Sequence, residues 1–169
     1  MITQPVTCVV VADGARARFF CLKAGLTADF DGGAELEERA DLVHAGVRHP
    51  ATTGEPSGTD RQRAAAGGPG RDDDGSEASR RRDADRRFAG QIIDQCADLC
   101  RAWPARSVIL IADKHTLGLL RQKTHRLNGV DVQELARDLS RANAAAVHAH
   151  LKTAGLVRGM AGLPVGLAR

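Results

Sequence analysis

The chain has 169 residues, 43% of them hydrophobic, the size and composition of one soluble domain. Its 24 Lys+Arg stand against 21 Asp+Glu, a formal charge of +3, which is too small to draw nucleic acid to the whole surface; such binding requires cations gathered on one face. Aromatics are 3% and Tyr is absent, so the core must be built from Val, Leu, Ile and Ala, and no run reaches the roughly 18–20 apolar residues of a membrane helix. The opening Met1–Pro5 lacks a basic n-region, and Val6–Ala12 is too short for a signal h-region. A cytoplasmic location without membrane insertion is therefore expected, with the four cysteines reduced.

Val6–Ala12 is a β-branched, almost wholly apolar run, the pattern of a strand buried on both faces. Asp13-Gly14 follows, and then Ala15–Leu22 begins with polar alternation. A strand, Asp-Gly and a second strand predict a hairpin. A turn region spans Gly25 to Gly33. Ala34–Val43 alternates Leu36, Leu42 and Val43 with charge and fits a third antiparallel strand better than a short helix.

From about Arg48 to Arg87 there is no aromatic residue and almost nothing large and apolar. Such a stretch cannot bury enough apolar surface to offset its ordering entropy. It predicts a long mobile loop over about 48–82, and loops of that length are usually functional or disordered. Asp83 or Asp85 could cap the following helix, whose positions Phe88, Ile92, Ile93, Cys96, Leu99, Cys100 and Trp103 share one face. Pro104 ends it.

Ser107–Ala112 reads as a second buried strand, reached by a crossover, and His115–Lys123 as a short helix with Leu117, Leu119 and Leu120 inward. Val130–Asp138 fits either the start of one long helix or an edge strand followed by a helix capped by Ser140. The last helix is expected over Ala142–Ala154, with Val147 and Leu151 inward and Gly155 just past its end. The segment 156–169 has apolar residues and glycines without periodicity and reads as a tail beyond the 1–155 unit. The fold class is thus α/β: a single domain with a mixed sheet, an antiparallel N-terminal meander and packed helices.

Two groups could meet nucleic acid. Gly67-Gly68-Pro69-Gly70-Arg71 could offer backbone N–H groups and a guanidinium to a phosphate. It is not a P-loop, because the Gly-x-x-x-x-Gly-Lys-Ser/Thr pattern is missing, and a flexible linker is the simpler reading. Arg80, Arg81 and Arg82 with Arg86 and Arg87 form the one dense basic cluster, diluted by Asp83 and Asp85. It could contact an RNA backbone, but without interleaved aromatics it would not stack bases. A solvated helix entrance with Arg–Asp pairs is the bland alternative.

No metal or cofactor is expected. Cys96 and Cys100, at i and i+4, and Cys8 and Cys21, in strands, read as small buried hydrophobes. His148 and His150 point apart on a helix, and His44 and His49 flank the start of the loop. His115, after Asp113 and Lys114, stands at a strand's carboxyl end, where α/β sites often lie. A hydrolase built on Asp13, Asp113 and His115 has no motif behind it, and no catalytic residue is assigned.

Several blocks taken together resemble a known family. They are Val9–Phe20 with its Ala-Asp-Gly-Ala-Arg-Ala-Arg core, Pro69-Gly70-Arg71, Arg87-Phe88-Ala89, Val108–Ala112 with Leu117–Arg121, and Glu134–Leu139. In that order they resemble the bacterial host-attachment protein family over about Val6 to Leu151. That family is in turn similar to the middle domain of archaeal and eukaryotic peptide-chain release factors, whose long loop carries Gly-Gly-Gln. The resemblance implies that fold and a link to ribosomes or structured RNA. It does not carry over peptide release, because Gly67-Gly68-Pro69 has no Gln in third position and Gln62 follows no glycine pair. The alternative is a protein-interaction adaptor in attachment or envelope regulation, meeting a protein partner or a second copy through the tail Leu156–Leu167.

Overall fold

A computed structural model describes residues 6–23, 35–45 and 73–157. The strands are β1 (Val6–Ala12), β2 (Arg16–Lys23), β3 (Glu35–Val43), β4 (Ser107–Ala112) and β5 (Asp131–Ala136). The helices are α1 (Asp73–Ala102), α2 (Lys114–Arg121) and α3 (Ala144–Thr153), with a 3-10 turn at Thr124–Arg126. The strands form one sheet in the order β3-β2-β1-β4-β5. β1–β2 and β2–β3 pair antiparallel, and β1–β4 and β4–β5 pair parallel. This is the expected α/β class, with a mixed sheet and an antiparallel meander at its start. Val130–Asp138 resolves to the strand alternative, because β5 completes the parallel half.

The apolar runs explain the layering. Successive strand residues face opposite sides of a sheet. Cys8, Val10, Val108 and Leu110 face one side and join Phe88, Ile92, Ile93, Leu117 and Leu120 of α1 and α2. Val9, Val11, Ile109 and Ile111 face the other and join Val147 and Leu151 of α3. Leu36 packs on the α3 side, whereas Ala40 and Leu42 pack on the α1 side, although Leu36 and Leu42 are an even number of residues apart. The cause is a bulge: Phe19 pairs with Ala40 and Phe20 with Glu38, which leaves Arg39 over and reverses the alternation.

The start of α1 departs from the sequence expectation. Residues 73–82, assigned to the loop, are helical, and neither Asp83 nor Asp85 is a cap. Composition failed because it tests only whether a segment can bury a core. A helix already nucleated on a packed face extends at little cost, and Glu77, Ala78 and the arginines are good helix formers. At 1.5 Å per residue the 30 residues of α1 run about 45 Å, against about 20 Å for the six-residue β4. Its first buried residue is Phe88. The helix therefore overhangs the sheet by about four turns, beyond the carboxyl ends of β1 and β4.

α3 begins at Ala144, capped by Asn143, whose Oδ1 accepts the Ala146 N–H at 2.8 Å. The expected cap, Ser140, instead donates its N–H and hydroxyl to Asp138. The helix ends as expected: Gly155 takes φ +67°, while the Leu156 and Gly155 N–H groups reach the carbonyls of Leu151 and Lys152. Leu156 and Val157 pack on the α3-side core. The turn at Gly25–Gly33, the 48–72 part of the loop and the tail from 158 lie outside the described residues.

Arg18 fastens the meander to the far half of the chain. Its Nε and Nη2 meet the two Glu38 oxygens at 2.9 and 2.6 Å, its Nη1 donates to the Ala142 carbonyl at 2.6 Å, and its guanidinium lies 5.0 Å from the Phe20 ring centre. The hydrogen bond from Arg18 holds the Glu38 carboxyl below the usual carboxylate range. Glu38 is over a third exposed, so solvent screening reduces its Coulombic share. Replacing Arg18 by Ala should cost about 2 kcal/mol, mostly from the orphaned carbonyl and lost packing, read as a lower midpoint in urea. Because the Glu38 pKa is depressed on folding, its contribution is present above the unfolded carboxylate pKa and lost as pH falls through the folded value. The gap between the wild type and the Arg18→Ala variant should therefore narrow on acidification.

Candidate functional site

β1 and β4 end side by side, Ala12 paired with Ala112, and each is followed by an aspartate. Each carboxylate turns the chain. Asp13 Oδ1 accepts the N–H groups of Ala15 and Arg16, both at 2.7 Å. Asp113 caps α2: Oδ1 accepts the N–H groups of His115 at 2.8 Å and Thr116 at 3.0 Å, and Oδ2 accepts the Thr116 hydroxyl at 2.6 Å. Burial pushes the Asp113 pKa up, but the hydrogen bonds from Thr116 and His115 outweigh it and leave the group below its ordinary value.

Between these two strand ends, α1 and the start of α2 border a small cleft open to solvent. Phe88, Ala89 and Ile92 of α1 form its apolar wall, and Asp13, Asp85, His115 and Thr116 supply polar groups. Behind Asp85 stands His44, at the end of β3 and only 6% exposed. Its backbone N–H reaches the Ala15 carbonyl at 2.8 Å, its Nε2 lies 3.7 Å from Asp85 Oδ1, and its ring centre is 4.6 Å from that of Phe88. This residue joins the meander to α1, a role that its place at the edge of the loop did not reveal.

Asp13 and His115, two parts of the hydrolase reading, thus line one cleft. The chemistry still does not assemble. Both aspartates are engaged in holding turns, and the Thr116 hydroxyl donates to Asp113 rather than facing a base. The cleft offers acceptors and an imidazole, without an activated nucleophile among the described residues.

The basic cluster lies just outside this cleft. Arg80, Arg81, Arg82, Arg86 and Arg87 are all exposed on the overhanging part of α1 and its root. Arg81 is four residues before Asp85, so it sits on the same helix face, one turn outward. Arg82 donates to the Ala78 carbonyl, and Arg86 meets Asp83 at 3.3 Å. That is the one ion pair any of the five makes among the described residues. The cluster is therefore not a charged helix entrance, where cations would oppose the dipole, but a belt in the second to fourth turns. Gly67, Gly68, Gly70 and Arg71 lie outside the described residues.

All four cysteines are buried, as expected. On α3, His150 Nδ1 lies 3.3 Å from Arg137 Nη1, whereas His148 Nε2 is buried without a hydrogen-bond partner among the described residues. No helix among the described residues is long and apolar enough to cross a membrane.

The sequence profile of the family described as "Protein required for attachment to host cells" matches residues 8–151, so the chain belongs to that family. No curated protein matches it.

Loss of the cap is a direct check on the role given to Asp113. Asp113→Ala should lower stability by about 1 kcal/mol at neutral pH. Since the folded pKa is depressed, the deficit should shrink as pH falls through it. A thermal melt series across acid pH reads both effects.

Proposed function

We propose that this host-attachment family member acts in the cytoplasm as an RNA-binding factor, docking on the ribosome or comparable structured RNA through the overhanging part of α1. The observation that carries this reading is the exposed belt of Arg80, Arg81, Arg82, Arg86 and Arg87 on a rod that stands clear of the sheet. A guanidinium forms paired hydrogen bonds with phosphate oxygens, and a projecting helix can reach phosphates that a flat surface cannot. No aromatic residue stands among these arginines, so the contact would be to the backbone, with strong salt dependence and little base preference. Gly67–Arg71 immediately precedes α1 in sequence and would add Arg71 to the same contact.

The same reading takes the fold as similar to the release-factor middle domain. The order of hairpin, third strand, long helix, strand and helix supports it. Without Gly-Gly-Gln the function would be binding rather than peptide release.

Co-sedimentation of the full chain with ribosomes across a salt series tests this. The wild type should bind at low salt and dissociate as salt rises. Changing Arg80, Arg81 and Arg82 together to Ala should weaken binding and flatten the log–log salt slope by about two to three. Unaltered co-sedimentation by that variant, or no binding by the wild type at low salt, would remove the basis of the reading.

A further inference from the structure

Three thiols from distant parts of the chain meet between β1 and α1. Cys8 faces the α1 side of the sheet, and Cys96 and Cys100 lie on consecutive turns of α1, both within the same apolar cluster. All three sulfurs lie within 4.8 Å of one another, with Cys8 and Cys96 3.9 Å apart. Cys8 and Cys96 are fully buried, and Cys100 is 5% exposed.

A lone buried cysteine packs as a small hydrophobe. Three in a triangle offer more. Three sulfurs each about 2.3 Å from a central ion stand about 4 Å apart when the ion lies in their plane, as copper(I) does, and closer when it sits above it, as trivalent arsenic does with its lone pair; the thiols found, within 4.8 Å of one another, would draw together slightly on binding either. Among the described residues no carboxylate, imidazole or fourth thiol joins the group. Closed zinc sites take four ligands, so the set is one short for zinc, whereas sulfur-only surroundings suit softer ions.

We infer that Cys8, Cys96 and Cys100 form a three-coordinate site for a soft, thiophilic ion, copper(I) or trivalent arsenic, held between β1 and α1. Copper(I) would form three Cu–S bonds as three thiol protons leave to solvent, and the site would carry two negative charges. Arsenous acid would form three As–S bonds while its three hydroxyls leave with the thiol protons as three waters, and the site would stay neutral. Net charge is costly in an apolar layer, which favours arsenic of the two. Cys100, the least buried of the three, is the point of entry.

The test uses the full, reduced chain, titrated separately with copper(I), arsenite and zinc. Native mass spectrometry counts ions, and X-ray absorption counts sulfur neighbours. One copper(I) or arsenic per chain with three sulfur neighbours is expected, and zinc should be retained less well. Arsenite held in preference to copper(I) would identify the neutral complex as the stable one; the reverse would identify copper. Cys8→Ser, Cys96→Ser and Cys100→Ser should each lose the ion, and Cys21→Ser should keep it. Circular dichroism shows whether each variant is folded, and the sulfur count on the wild type stands whether or not they are. Failure to retain either ion, retention in a folded Cys8→Ser variant, or a fourth sulfur supplied by Cys21 would overturn the assignment.

Discussion

The pairing of β1 with β4 is the constraint from which the rest follows. Both strands are apolar on both faces, so neither side of the sheet's centre can be left to water. One face is covered by α1 and α2 and the other by α3. The parallel pairing also requires a crossover, and α1 provides it. Running back against β4, α1 must begin near the carboxyl ends of the central strands. The cleft, the two turn-forming aspartates and the arginine belt therefore gather at one end of the sheet.

Much of this was legible because the signal is local. Val6–Ala12 and Ser107–Ala112 identify themselves by unbroken β-branched and aliphatic residues, and Phe88–Trp103 by a stripe at helical spacing. What the sequence did not disclose also has local causes. Residues 73–82 carry no apolar stripe, because an overhanging helix has nothing to pack against. Leu36 and Leu42 share parity, and only the bulge at Arg39 places them on opposite faces. Ser140 and Asn143 are both acceptable caps by type, and Asp138 decides between them by taking the serine's donors.

The sites depend on contacts that sequence spacing does not encode. Cys96 and Cys100 show themselves as neighbours on a helix, but Cys8 joins them only once α1 has docked on β1. The one usable hint was parity: Cys8, like Val10, lies on the face that α1 covers. His44 similarly looked like a loop residue and proves to be buried against Asp85 and Phe88. The carboxylates of the hydrolase reading, Asp13 and Asp113, are likewise engaged in holding turns.

α1 thus passes through three regions in turn: the free basic overhang, the contact of Phe88 with His44, and the sulfur cluster. Taken as a rigid rod, it is a lever with its fulcrum at Phe88. From Glu77 to Phe88 is about 17 Å along the axis, and from Phe88 to Cys100 about 18 Å. The two arms are nearly equal. The inner arm is packed into the core from Phe88 to Cys100, so a load on the outer arm is resisted along that whole length.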